Sequence, residues 1–202
     1  MSGPASVVGL ILAAGKSERM GTAKALLSFE SKNFLQTIFD EALSSELSRT
    51  LVVLGHDAEL IMKRLPQVRR HAVINADYEE GQLSSLQAGI RSLSGNDCDG
   101  VMVFLVDHPF VKRTLVNSLI HAFQKKDCSI VIPSCKNRRG HPMIFGSTLF
   151  PELLSAPLSE GAVAVVRKHE QEILHLEVED ESILVDIDTP AAYKRWVGPS
   201  KQ

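Results

Sequence analysis

Seven consecutive residues near the N-terminus, Val7-Val-Gly-Leu-Ile-Leu-Ala13, carry no polar side chain on either face. A strand of that kind has to be covered on both sides, which places it inside a parallel sheet with helices above and below. Thr50 to Leu54, His71 to Ile74, Val101 to Val106 and Ser129 to Ile132 are further strand-length runs, and Val101-Met-Val-Phe-Leu-Val106, the most apolar, belongs at the sheet centre. Between them, Phe34, Leu35, Ile38, Phe39, Ala42 and Leu43 recur at helical spacing. Leu60, Ile61 and Leu65 mark a second helix with Asp57 placed to cap it; Leu83, Leu86 and Ile90 mark a third, and Lys112 to Lys125 a fourth. The succession predicts an α/β fold, a single Rossmann-like three-layer α/β/α domain with a mostly parallel sheet and a ligand crevice at the C-terminal strand ends.

The later third is less regular. Asn137 to Phe145 reads as a hairpin or loop excursion, followed by helices near Pro151 to Leu154 and Gly161 to His169 and by strands at Ile173 to Val178 and Ile183 to Ile187. A last helix starts after Thr189-Pro190, with Thr189 as cap, and carries Tyr193 and Trp196. The 202 residues make one domain, 1–202, with a core of about 6–197 and disorder expected in the first and last few residues. A net charge of −2 gives no argument for nucleic acid or membrane binding, so an anionic ligand must be met locally. Three cysteines without Cys-x-x-Cys spacing and the absence of a hydrophobic opening segment point to a reducing cytoplasm.

The first strand ends in Ala14-Gly15, small residues that let backbone N–H groups approach a ligand, and the polar loop beyond carries Arg19 and Lys24 on either side of Gly21. Free amides with fixed positive charge suit a polyphosphate. Five residues separate Gly15 from Gly21 and Lys24 lies three further on, which is not P-loop spacing, and the Gly-x-Gly-x-x-Gly dinucleotide fingerprint is absent. A plain strand-to-helix turn with surface cations is the competing reading.

Asp107 follows the central strand in Val106-Asp-His-Pro-Phe110, where a carboxylate either holds Mg²⁺ above the sheet or caps a helix. Asp186 and Asp188 in Asp186-Ile-Asp-Thr-Pro190 share a face of an extended segment; one can complete a metal site with Asp107, with Asp186 preferred, while the other caps the last helix. Asn75 and the segment Gly81-Gln-Leu-Ser84-Ser85-Leu86 put amide and hydroxyl groups at a helix start, able to read a base or ribose, although simple capping by Ser84 also fits. Arg138-Arg139-Gly-His141-Pro142 presents cations that meet a phosphorylated acceptor or merely solvent. His56 and His108 read as turn residues, and no Gly-x-Ser-x-Gly elbow is present to suggest a hydrolase.

The string Leu12-Ala13-Ala14-Gly15-x-Ser17-x-Arg19-Met20-Gly21-x-x-Lys24 resembles the opening of the molybdenum cofactor nucleotidylyltransferases, and its Ala-Ala form is similar to the cytidylyltransferase branch rather than the guanylyltransferase branch. The resemblance runs from about residue 7 to 196. It implies a fold of the nucleotide-diphospho-sugar transferase type, with Leu12, Ala13, Ala14, Gly15, Arg19, Lys24, Asn75, Gly81, Ser84, Ser85 and Asp107 as nucleotide-binding residues. Arg19, Lys24 and Asp107 would be catalytic, Mg²⁺ would sit on Asp107 with Asp186 or Asp188, and Arg139 and His141 would face the acceptor. Two departures stand out. Members commonly carry Gly-Asp-x-Gly-Ala-Arg where this chain has Leu158-Ser-Glu-Gly-Ala-Val163, and the small residue usual near Lys32 is missing.

The activity implied is transfer of a nucleoside monophosphate from an NTP, CTP favoured because the Ala14 methyl crowds a purine, onto the phosphate of molybdopterin, with a molybdoenzyme or its chaperone as partner. Such chemistry needs positioning and positive charge more than a strong base. Transfer to a sugar or polyol phosphate, and a non-catalytic nucleotide-binding or cofactor-delivery role, are the alternatives.

Overall fold

The computed structural model describes residues 5–93, 98–125 and 128–198; the termini expected to be disordered lie largely outside them. The chain runs β1 (Val7–Ala13), a small antiparallel pair β2 (Ser28–Phe29) and β3 (Lys32–Asn33), α1 (Phe34–Leu43), β4 (Arg49–Leu54), α2 (Ala58–Arg64), β5 (Ala72–Ile74), α3 (Gln82–Arg91) and β6 (Gly100–Leu105). It continues through α4 (Arg113–Lys125), β7 (Ile130–Cys135), β8 (Arg138–Arg139), β9 (Met143–Gly146), α5 (Phe150–Ser155), α6 (Val163–Lys168), β10 (Ile173–Glu177) and α7 (Pro190–Trp196). The main sheet has the order β10-β7-β9-β6-β1-β4-β5, with β8 paired to β7. β1 lies parallel between β4 and β6, and every one of its residues is buried.

One face of the sheet is covered by α1, α2 and α4, through Leu35, Ile38, Phe39, Ile61, Val116 and Leu119; the other by α3, α5 and α6, through Leu83, Leu86, Leu153 and Val165. Side chains of this size are each worth roughly 1.5–3 kcal/mol when removed from water, so the two layers fix the sheet that presents the strand ends. Asn33 caps α1 by accepting from the Gln36 N–H at 2.9 Å. Thr189 caps α7, accepting from the Ala192 N–H at 3.1 Å.

Four local expectations are corrected. The excursion near 137–145 contributes β9, which lies antiparallel between β6 and β7 inside the main sheet. Residues Glu181–Leu184 form a 3-10 turn rather than strand, since the apolar residues that follow, Val185 and Ile187, pack with Phe34 in a small core of their own instead of pairing in the sheet; Gly140 lies close by, where a Cβ would be 2.6 Å from the Ile183 carbonyl oxygen. Asp57 is left-handed (φ 57°) and its side chain makes no cap hydrogen bond. Ser84 sits inside α3 with its hydroxyl donating back to the Gly81 and Asp77 carbonyls, each at 2.8 Å, so it does not cap the helix.

Candidate active site

Beyond β1 the loop turns back on itself. Ser17 adopts a left-handed conformation (φ 54°), Gly21 another (φ 65°), and the Ser17 hydroxyl accepts the Lys24 backbone N–H at 3.0 Å. Lys24 is thereby returned to the tip of the sheet with its side chain largely buried. Its ammonium donates to Asp107 Oδ2 at 3.1 Å and to Asp188 Oδ1. Arg19, exposed at the rim, donates from Nη1 to Asp188 Oδ2 at 3.1 Å.

Burial opposes the Lys24 charge, yet the hydrogen bonds and fields of Asp188 and Asp107 outweigh it and raise its pKa above the ordinary lysine value. The Lys24 hydrogen bond in turn holds the Asp188 carboxyl below the usual aspartate range, against the partial burial that would raise it. Lys24 is therefore held as an ammonium against the Asp188 carboxylate.

The Ile187 N–H donates to the Asp107 carbonyl at 2.9 Å, which fixes the second carboxylate-bearing segment to the tip of β6. The segment is anchored from behind by a small core of Phe34, Val185 and Ile187, with Phe29, Phe110 and Tyr193 packed against it. The Tyr193 hydroxyl donates to the Ser28 carbonyl at 2.7 Å. Because Thr189 supplies the helix cap, Asp188 is left free to point at Lys24. Asp186, which alternates with the fully buried Ile187, is exposed. The structure therefore brings Asp188 rather than Asp186 to Lys24 and Asp107.

A cavity of about 200 Å³ opens beside this group, lined by Leu12, Ala13, Ala14, Gly15, Ser17, Lys24, His56, Tyr78, Gly81, Ser85 and Asp107 among others. A Cβ on Gly15 would meet nothing within 4 Å, whereas one on Gly55 would lie 2.5 Å from the Tyr78 Cβ. Gly55 is thus what allows β4 to end beneath Tyr78. The Ala14 carbonyl is held by the His56 N–H at 3.0 Å. An adjoining opening of about 300 Å³ is lined by Lys16, Ser17, Glu18, Arg19, Lys24 and Asp188.

Asn75 is buried with its amide committed to the protein: Nδ2 donates to the Ser84 and Ser85 hydroxyls at 2.9 and 3.1 Å, and Oδ1 accepts the Asp77 N–H at 3.0 Å. It shapes the wall that Ser85 and Gly81 form, with Ser84 bonded behind it. A third cavity, about 480 Å³, lies between the β6–β9–β7 part of the sheet, α3 and the 158–166 segment, and Arg139 and His141 line it. Arg139 already donates to Glu170. Burial, with the neighbouring His108, pushes the His141 imidazole down to about 3, so it is neutral.

Sequence reasoning missed three contributors. Tyr78 and His56 line the cavity of about 200 Å³, their rings 5.8 Å apart; the position of His56 after β4 was the available signal, and Tyr78 had none. His108, read as a turn residue, packs against His141 with ring centroids 4.9 Å apart and the planes tilted by 55°.

Among the described residues no cluster of three or more His, Cys, Asp or Glu side chains could hold a metal ion by itself. Two carboxylates that already share one cation do fit an ion of the Mg²⁺ type, which takes one or two carboxylates and completes its oxygen shell from ligand phosphates. No helix among the described residues is long and apolar enough to cross a membrane.

Residues 9–173 match the MobA-like NTP transferase domain, and the chain belongs to this family. It is 31% identical to the purine catabolism protein PucB of Bacillus subtilis, over 93% of this chain and 94% of that one. It is 28% identical to the nicotine blue oxidoreductase of Paenarthrobacter nicotinovorans, over 91% and 92%, and 24% identical to the molybdenum cofactor cytidylyltransferase of Escherichia coli, over 90% of each. The crystal structure of Rv0371c from Mycobacterium tuberculosis superposes with a TM-score of 0.85 over 96% of this chain and 99% of that one, at 24% identity; that protein has also been solved in complex with manganese.

Proposed function

We propose that the protein transfers a nucleoside monophosphate from an NTP to an acceptor phosphate. The observation that carries this reading is the Lys24 ammonium held between Asp107 and Asp188 at the strand tips, beside a cavity that Ala13, Ala14 and Gly15 line. An acceptor phosphate oxygen bonds to the α-phosphorus, the bond from that phosphorus to the bridging oxygen breaks, and pyrophosphate leaves. Negative charge gathers on phosphoryl oxygens in this step, and fixed donors placed beforehand lower its cost most. Lys24 supplies a positive charge at the reacting phosphoryl group, Arg19 a second one at the rim for the leaving pyrophosphate, and the Ala14 to Ser17 backbone holds the triphosphate against the sheet.

Mg²⁺, held by Asp107 and Asp188, would add positive charge against the phosphoryl oxygens. A phosphate monoester is largely ionised near neutrality, so the acceptor needs no strong base. The buried Ala14 methyl and the small cavity favour CTP as donor. The likeness to the cytidylyltransferase favours molybdopterin as acceptor.

The test is incubation of purified protein with Mg²⁺, each NTP in turn, and molybdopterin or sugar phosphates, with pyrophosphate as readout. Release that requires both CTP and molybdopterin supports the full reading. Binding of NTP without turnover on any acceptor would reduce the protein to a nucleotide-binding module, and GTP competing as well as CTP would overturn the donor choice.

A further inference from the structure

The cavity of about 480 Å³ joins the nucleotide cavity through shared lining at Leu12, Gln82 and Leu105. Its floor is apolar: Leu86, Val103, Ile132 and Phe145 are all buried. The rim is mixed: Ser159 and Glu160 stand beside apolar residues that meet water. Leu158 is 36% and Val163 49% exposed, both on the segment where the chain departs from the Gly-Asp-x-Gly-Ala-Arg pattern. Exposed large apolar side chains at the mouth of a cavity gain when a ligand covers them.

The polar groups of this cavity argue against its holding a phosphate. The Arg139 guanidinium is paired with Glu170, His141 is neutral, and Glu160 on the rim is an exposed carboxylate. A phosphate finds its positive charge instead at Lys24 and Arg19, on the far side of the junction.

Resting on the nucleotidyltransferase reading of the neighbouring cleft, we infer that this cavity takes the organic body of the acceptor by its apolar faces, and that Leu158 and Val163 select it. The acceptor class is a phosphate monoester of a flat, ring-sized body that presents apolar faces, with the phosphate reaching the junction. Sugar and polyol phosphates are disfavoured, since they carry hydroxyls on every face and those turned toward Leu86, Val103 and Phe145 would lose water there.

The experiment uses 1-naphthyl phosphate as probe, with glycerol 3-phosphate and inorganic phosphate as polar controls, titrated into the full chain and into a Leu158→Asn, Val163→Asn double variant. The variant changes polarity without adding charge, at exposed positions. The inference predicts that naphthyl phosphate binds about tenfold or more tighter than either control and that the variant loses about tenfold of this affinity, with CTP affinity unchanged. Equal binding of the three phosphates, or an unchanged affinity in the variant, would overturn it. CTP titrated into the same wild-type sample reports separately on the cleft: absence of CTP binding sinks the nucleotidyltransferase reading, whatever naphthyl phosphate does.

Discussion

The Ile187 backbone N–H donates to the carbonyl oxygen of Asp107 at 2.9 Å, and this bond sets the C-terminal segment in register with the tip of the central strand. From it follows the position of Asp188, one residue on, against the same ammonium that Asp107 holds. A site built from residues at opposite ends of the chain depends on that segment staying in place.

Gly140→Ala should loosen it. A methyl at Gly140 meets the Ile183 carbonyl at 2.6 Å and its side chain at 2.7 Å, and overpacking of this kind costs about 1–3 kcal/mol. The urea midpoint should fall accordingly, and pyrophosphate release should drop further than the lost stability explains because Asp188 is displaced. An unchanged midpoint would mean that the 181–188 turn moves freely.

Asn75→Ala removes a buried amide whose three hydrogen bonds, to the Ser84 and Ser85 hydroxyls and from the Asp77 N–H, join the end of β5 to α3. Orphaned buried partners cost roughly 1–3 kcal/mol. The expected outcome is a lower melting temperature with a raised KM for the NTP, since Ser85 and Gly81 lose their backing. A raised KM with no change in melting temperature would instead mean that Asn75 contacts the nucleotide directly.

Much of this arrangement is legible before any coordinates. β1 can be read to the residue because none of its seven residues carries a polar side chain, a pattern with few other uses. α7 is equally plain, since Thr189-Pro190 fixes both cap and first turn. The 183–187 segment alternates like a strand yet bends into a 3-10 turn, because the alternation serves a small core of Phe34, Val185 and Ile187 rather than a sheet. β9 is hidden for the opposite reason: four residues are too short to show a period, and its place between β6 and β7 is set by tertiary pairing. Lys24 and Asp107 stand out as charges at strand ends. Choosing between Asp186 and Asp188 turns on which of them meets Lys24, and the contact of Asp188 with that ammonium is made by tertiary packing.

Stability should depend on pH through His169. Its two ring nitrogens meet Glu152 at 2.8 Å and Glu172 at 2.7 Å, and these hydrogen bonds raise its pKa above the ordinary value. A raised folded-state pKa means that the contribution is full below about pH 6.5, the unfolded value, and is lost as pH rises through the folded one. Melting temperature followed from pH 6 upward should fall more steeply in the wild type than in His169→Gln. Parallel curves would show that the pairing is solvated away.

Lys24→Met leaves Asp107 and Asp188 facing each other without the ammonium between them, with the exposed Arg19 guanidinium still on Asp188 at the rim. Asp188, whose pKa the Lys24 hydrogen bond depresses, should titrate at higher pH in the variant, measurable by carboxylate NMR. In the wild type the matching stability is present above the unfolded aspartate pKa and is lost as pH falls through the folded value. NTP turnover should fall by about 100-fold or more. An unshifted Asp188 would remove Lys24 from the pair.

The most direct measurement is the rate of pyrophosphate release with CTP, Mg²⁺ and acceptor in Asp107→Asn, Asp188→Asn, the double variant and Asp186→Asn. The account predicts a loss of about 100-fold or more in each of the first two, a double variant scarcely worse than either, since groups acting as a unit are not additive, and near wild-type activity for Asp186→Asn. Chelation of the metal should abolish wild-type turnover. Full activity in Asp188→Asn alongside a dead Asp186→Asn would contradict the account.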